Sequence, residues 1–168
     1  MREMLPKLVL TDIDGVWTDG GIYYDNMGNE FKKFNTSDSA GVLFLKQLKI
    51  PIGIISGEEN NIIRRRAEKL QIDYLFLGVK EKLEVASKLC LQLNISLSEV
   101  AYIGDDLGDI SLLKCSGISA APSNAPDYIK EIVDYQLFSK GGDGAFREFV
   151  EKILLTNNLL FIVLEKYK

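Results

Sequence analysis

Residues 8–20 read LVLTDIDGVWTDG. A short apolar run, Leu8-Val9-Leu10, delivers two carboxylates, Asp12 and Asp14, to what the pattern predicts is the carboxyl end of a β-strand. In an open α/β sheet, ligands bind in the crevice beyond those ends, and two acids two residues apart can there divide nucleophilic and acid/base work. A plain Asx-rich turn closing a strand has the same composition. The segment also carries the D-x-D-G of a calcium loop, but the third acidic ligand and the closing Glu of an EF-hand are missing at the expected offsets.

Outward from this stretch, strand and helix patterns alternate. Gly20 to Asn35 reads as a hairpin, with Asp25 to Asn29 as its turn. Asp38 caps a predicted helix through Leu48. Pro51 to Ile55 is a buried strand ending at Ser56-Gly57, Asn60 to Leu70 a helix, Tyr74 to Leu77 a strand, and Lys80 to Leu93 a helix. Val100 to Ile103 is a strand that stops at Gly104-Asp105-Asp106. A helix over Leu107 to Lys114, a strand over Ile118 to Ala120 and a helix opened by Pro126 follow. A last strand over Asp134 to Phe138, a Gly-rich stretch and a helix over Ala145 to Leu155 complete the pattern. Repeated strand–helix units predict an α/β fold: a doubly wound, Rossmann-like parallel sheet with helices on both faces, joined by right-handed crossovers. The expected organisation is one domain over residues 1–168, with a hairpin insertion at about 20–35, no large cap, and a C-terminal tail at about 156–168.

Composition narrows the class. The 168 residues are 46% hydrophobic and 26% charged, which suits a single globular core rather than a disordered or fibrous chain. A net charge of −4 argues against a nucleic-acid partner, which needs a basic face for phosphates. The apolar run Leu159 to Leu164 is too short to span a bilayer, and no signal peptide is visible, so no membrane association and a cytoplasmic location are expected. Cys90 and Cys115 lie in apolar stretches without C-x-x-C spacing and read as buried free thiols. The chain has no histidine, so proton transfer falls to carboxylates or lysine.

Polar residues recur where the predicted strands end: Asp12 and Asp14 after the first, Ser56 after the second, Lys82 after the third, and Asp105, Asp106 and Asp109 after the fourth. Singly, each has a plain structural reading as a turn, a solvated lysine or a helix cap. Jointly, an acidic cluster able to hold Mg2+, a hydroxyl and a lysine supply the metal, nucleophile and counter-charges of phosphoryl transfer to a carboxylate.

The order Asp12-x-Asp14, Ser56 in IISG, Lys82 and GDDLGD at 104–109 resembles the haloacid dehalogenase superfamily of phosphohydrolases, over roughly residues 7 to 150. The lack of a large insertion is similar to its capless branch. LTDIDGVWTDG, KFNTSDSAG at 33–41, GEENNIIRRRAEKL at 57–70 and GGDGAFRE at 141–148 look like the phosphatases of 3-deoxy-2-keto sugar acids. The resemblance implies that Asp12 is the nucleophile and Asp14 the acid and then the base. It implies that Asp12, the backbone carbonyl of Asp14, and Asp105 hold Mg2+, and that Ser56 and Lys82 bind phosphoryl oxygens. Asp106 and Asp109 are then supports that orient Lys82 or metal-bound water. Thr11 is read as structural.

The substrate implied is a small sugar acid phosphate. Ser37-Asp38-Ser39-Ala40 replaces the basic residue and Gly that flank this Asp in octulosonate enzymes. That favours a nine-carbon acid, KDN 9-phosphate or N-acylneuraminate 9-phosphate, with 3-deoxy-D-manno-octulosonate (KDO) 8-phosphate as the alternative. Glu58, with Arg66 and Lys69 on one helical face, is the expected substrate rim. The resemblance also implies a homotetramer centred on the hairpins, with the Gly141–Gly144 segment and Arg147 completing a neighbour's pocket. A receiver-type signalling domain uses similar groups, but it places its phospho-acceptor on a middle strand, where this chain has Ser56. A non-catalytic oligomerisation domain has no need for the intact set of Asp12, Asp14, Lys82 and Asp105.

Overall fold

A computed structural model of the protein describes residues 4–167. Along the chain, β1 (Leu8–Thr11) is followed by hairpin strands β2 (Tyr23–Tyr24) and β3 (Glu30–Phe31). Then come α1 (Asp38–Gln47), β4 (Ile52–Ile55), α2 (Asn61–Leu70), β5 (Tyr74–Phe76), α3 (Lys82–Leu93), β6 (Val100–Ile103) and α4 (Ile110–Cys115). The chain continues through β7 (Ile118–Ala121), α5 (Asp127–Lys130), β8 (Tyr135–Gln136), α6 (Ala145–Thr156) and α7 (Leu160–Leu164). Six strands form one sheet in the order β5-β4-β1-β6-β7-β8, every neighbouring pair parallel. The chain leaves β1 toward β4 and β5, then returns to lay β6 on the other side of β1. The winding direction therefore reverses between β1 and β6, and a crevice opens at their carboxyl ends.

Alternation along the strands divides the core into two layers. Val9, Ile52, Ile54, Ala101 and Ile103 pack with residues of α1, α2 and α6 on one face. Leu8, Leu10, Val100 and Tyr102 pack with residues of α3, α4 and α5 on the other. This is the doubly wound architecture the sequence predicts. Only a hairpin separates β1 from α1, so no large cap lies over the crevice. Among the described residues no helix is long and apolar enough to cross a membrane.

Several local expectations change. The helix expected from Leu107 begins as a 3-10 turn over Leu107–Asp109, because Asp106 and Asp109 form a capping box that tightens it. The tail folds: α7 buries Val163 against the core, and Gln47 donates to the Val163 carbonyl. Cys90 is buried, but Cys115, the last residue of α4, is exposed.

Asp38 does not cap its own helix. Ser37 occupies the position before α1, and no side chain closes that end. Asp38 is instead fully buried, and its Oδ1 accepts the backbone N–H of Arg147 at 3.1 Å, in the first turn of α6. Gly144, which precedes α6, has no side chain to do this, so a carboxylate from α1 takes the place of a local cap. The Asp38 Oδ2 has no hydrogen-bond partner. Burial pushes the carboxyl up to about 6 against the opposing pull of the Arg147 amide and the Arg66 charge.

A carboxyl raised on folding keeps its proton longer in the native than in the unfolded chain. The stability it contributes is fully present below its unfolded value of about 4 and is lost as pH rises through its folded value. Asp38→Asn is free of this loss. Its thermal midpoint should rise relative to the parent's between about pH 4 and about pH 7, and a difference that stays constant across that range would contradict the assignment.

Candidate active site

The reversal point brings the strand-end residues together. An open pocket of about 350 Å3 is lined by Asp12, Asp14, Ser56, Glu58, Lys82 and Asp105, with Asp106 and Asp109 beside them. Thr11, the last residue of β1, is buried; its hydroxyl donates to the Asp12 carbonyl at 2.6 Å and accepts the Trp17 indole N–H at 2.9 Å. Trp17 in turn stacks on Phe146 of α6, ring centroids 4.5 Å apart. The turn after β1 is thus fastened to the core on both sides of Asp12, in keeping with a structural Thr11.

Lys82, the first residue of α3, points its ammonium between Asp12 (2.9 Å) and Asp109 (2.6 Å). Asp109 is almost wholly buried and collects four donors. Oδ1 takes the Tyr102 hydroxyl at 2.5 Å and Lys82, and Oδ2 takes the backbone N–H groups of Asp105 and Asp106 at 2.9 and 3.0 Å. Every lone-pair direction has a use, so Asp109 holds the Asp105 loop and orients Lys82. Asp106 stands apart from Lys82. It is exposed, and its carboxylate accepts the Leu107 N–H at 2.7 Å as the cap of the 3-10 turn, so it does not reach Lys82.

The electrostatics of this cluster call for a cation. Carboxylate oxygens of Asp12, Asp105 and Asp109 lie within 4.8 Å of one another. Burial first, and then the charges of Asp12, Asp109 and Asp106, push Asp105 up to about 8 despite Lys82. Burial and the Asp109 charge push Asp12 up in the same way, against Lys82. Burial alone would lower Lys82, but Asp12 and Asp109 hold it above its usual value and keep it charged. One ammonium does not balance three clustered carboxylates. The Asp105 Oδ1 is buried without a partner, and with Asp109 saturated, the oxygens left for a hard divalent cation are those of Asp12 and Asp105. Space is reserved for this arrangement: a Cβ on Gly15, whose φ is +82°, would come within 1.8 Å of the Asp105 Oδ2.

On the other side of the pocket, the Asp14 Oδ1 accepts the Thr18 hydroxyl at 3.1 Å, and its Oδ2 pairs with Lys32 at 2.7 Å. Lys32 arrives from the hairpin, with Glu58 at 3.5 Å and Glu30 at 3.9 Å. Burial alone would lower its pKa, but these three carboxylates raise it. The sequence reading does not single out Lys32. The available signal was the alternation after β3, which puts Glu30, Lys32 and Phe34 on one face. Ser56 is buried, and its Oγ accepts the Glu58 N–H at 3.2 Å, which leaves its own proton free to donate into the pocket.

The expected rim divides. Glu58 lines the pocket, but Arg66 and Lys69 line a separate cavity of about 230 Å3 with Phe34, Ile62 and Arg65. Arg66 donates to the Asn35 carbonyl at 3.2 Å and to the Ser39 hydroxyl at 3.1 Å, and it lies over the Phe34 ring. It fastens the segment after the hairpin to α2. The Gly-rich segment also serves its own chain. A Cβ on Gly141 would come within 1.8 Å of the Gly15 carbonyl, and the Gly142 N–H donates to Val16, so the segment backs the loop that carries Asp14. Arg147 pairs with Glu151 one turn along α6.

A family model of the haloacid dehalogenase-like hydrolases matches residues 78–149. The 3-deoxy-D-manno-octulosonate 8-phosphate phosphatase of Haemophilus influenzae is 40% identical over 148 residues, which cover 88% of this chain and 82% of that protein. A crystal structure of the same phosphatase from Moraxella catarrhalis, in complex with magnesium ion, phosphate ion and KDO, is 35% identical with a TM-score of 0.94, covering 97% of this chain and 94% of that one. A probable YrbI family phosphatase from Pseudomonas syringae is 38% identical with a TM-score of 0.94, over 98% of this chain and 94% of that one.

The role of Asp109 is open to a direct test. An amide in its place must turn its NH2 either to Lys82 and Tyr102 or to the two backbone N–H groups, all of which are donors. Asp109→Asn should therefore keep its fold by circular dichroism yet lose ~100-fold in turnover of p-nitrophenyl phosphate, at the upper end for groups that orient metal-site residues. Turnover within about twofold of the parent would contradict the role.

Proposed function

Because this chain belongs to the haloacid dehalogenase-like hydrolases and is a phosphoric monoester hydrolase, we propose that it hydrolyses KDO 8-phosphate, with Mg2+, to the free sugar acid and inorganic phosphate. The observation that carries this reading is the meeting of Asp12, Lys82 and Asp105 in one pocket at the reversal point, in a chain with relatives, 40% and 35% identical, that are named for that substrate. The nine-carbon expectation gives way. It rested on Ser37-Asp38-Ser39-Ala40 and on a charged rim of Glu58, Arg66 and Lys69; the segment is engaged elsewhere, with Asp38 capping α6, Ser39 accepting from Arg66 and none of the four lining the pocket, and Arg66 and Lys69 line a separate cavity.

Asp12 and Asp105, with the backbone carbonyl of Asp14, are the groups that would hold Mg2+. When bound, the ion neutralises the repulsion between the carboxylates and the phosphate and so favours in-line attack. Lys82 and the Ser56 hydroxyl bind the phosphoryl oxygens. As an Asp12 oxygen bonds to phosphorus, the phosphorus–sugar oxygen bond breaks, and its electron pair takes a proton from Asp14. Asp14, now a carboxylate, accepts a proton from the water that attacks the aspartyl-phosphate. Phosphate leaves, and Asp12 is regenerated.

Glu58 is the rim residue placed to meet sugar hydroxyls from within the chain. The hairpin exposes Tyr24, Met27 and Phe31 at 70%, 86% and 55%, more apolar surface than a two-stranded ribbon holds in water by itself. This supports a homotetramer built on hairpin contacts. In that assembly Arg66 and Lys69 would serve substrate only across a subunit boundary.

Specificity constants for KDO 8-phosphate and KDN 9-phosphate decide the substrate. The expected result is a preference of at least ~10-fold for the eight-carbon ester, about 1.4 kcal/mol in the transition state, and a preference for the nine-carbon ester would overturn the reading. Light scattering should return four times the chain mass, and an active monomer would contradict the assembly.

A further inference from the structure

The pocket has two halves. Lys82 and Ser56 serve the phosphate half. The half that faces the leaving group contains Asp14 and Glu58, with the hairpin behind them. Lys32 stands behind the pocket lining as a counter-charge to both. Its side chain has no exposed surface, and its ammonium hydrogen-bonds Asp14 at 2.7 Å and lies 3.5 Å from Glu58 and 3.9 Å from Glu30.

The register that brings it there is fixed two residues on. Phe34 bridges Thr18 in antiparallel fashion, and Thr18 is the residue whose hydroxyl holds the other Asp14 oxygen. The hairpin return and the turn after β1 therefore grip one carboxyl from two sides. A lone bond from Thr18 leaves the carboxyl plane free to rotate, since the terminal torsion of an aspartate is broad. A second bond, from an ammonium, sets the plane. In a site without a cap, no other described element supplies that second bond.

We propose that Lys32 is a positioning residue of this hydrolase, through which the hairpin sets the Asp14 carboxyl, and Glu58 beside it, for the leaving group. This rests on Asp14 being the acid that protonates the leaving oxygen. The hairpin then has a task inside its own subunit, whatever it does between subunits. Lys32 does not touch the phosphate. Its loss is felt in the half-reaction where the bond from phosphorus to the leaving oxygen breaks and that oxygen takes the Asp14 proton, and only in proportion to how much the leaving group needs the proton.

The test is kcat/KM for p-nitrophenyl, phenyl and benzyl phosphate, since this ratio reports the steps through formation of the aspartyl-phosphate and the three leaving groups need protonation to increasing degrees. Lys32→Met should lose ~10–100-fold with the benzyl ester, a part of the roughly 100- to 10,000-fold that general-acid help usually supplies, and no more than about threefold with the p-nitrophenyl ester. Its plot against leaving-group pKa thus becomes steeper. Lys32→Arg should return the parental slope. A slope does not depend on the fraction of folded enzyme, so partial loss of fold cannot imitate the effect. Asp14→Asn supplies the reference. If it steepens the plot and Lys32→Met does not, the role of Lys32 is wrong while the acid stands. If Asp14→Asn leaves the slope unchanged, Asp14 is not the acid, and the role of Lys32 falls with it.

Discussion

Asp109 is a fully buried anion, and what surrounds it follows from the need to satisfy it. Removing water from a carboxylate costs several kcal/mol unless hydrogen bonds and a counter-charge replace the solvent. Four donors do so here: Tyr102 from β6, Lys82 from α3, and two amides of the loop between β6 and α4. Meeting that need fixes three other things. The Asp105 loop is drawn down toward β1, Lys82 is aimed at Asp12, and Tyr102 is committed to the floor of the site. Gly15 completes the arrangement by leaving the volume that the Asp105 carboxylate fills.

The site as a whole is a compromise between attraction and repulsion. Three carboxylates within 4.8 Å of one another are not held by one ammonium, which is why burial and mutual charge raise Asp12 and Asp105. A site tuned for metal-free stability would have fewer acids. The excess negative charge makes sense as stored affinity for a divalent cation and, through it, for a phosphate dianion that this acidic chain would otherwise repel. Across the pocket the same logic runs in miniature: Lys32 stands among Asp14, Glu58 and Glu30, and the hairpin's backbone register sets where it stands.

The fold and the convergence of the strand-end residues were legible because both follow from local pattern plus one topological rule. Short apolar strands ending in Asp12, Ser56 and Asp105 need only a parallel sheet to converge, and the order of β4, β1 and β6 supplies it. What escaped depends on contacts distant in sequence. Asp38 looks like the cap of α1 but caps α6, 109 positions away, because Gly144 cannot. Arg66 looks like a rim residue of the same pocket, but it lines a separate cavity, with one guanidinium nitrogen tied to Asn35 and Ser39. Lys32 sits in a hairpin whose aromatic exposure invites a reading about assembly, and the local alternation that puts Glu30, Lys32 and Phe34 on one face does not say which carboxylates that face meets. The nine-carbon expectation lost its main support for the same reason, since a departure in sequence at Ser37–Ala40 is informative about ligand only if the segment faces the pocket.

The claim on which the account turns is that Asp12 carries the phosphoryl group. Acid quench during turnover of 32P-labelled substrate with Mg2+, followed by peptide mapping, tests it most directly. The account predicts a hydroxylamine-labile label on the peptide containing Asp12 and none on the peptide containing Ser56. Label on Ser56, or turnover with no labelled protein at any quench time, would contradict it.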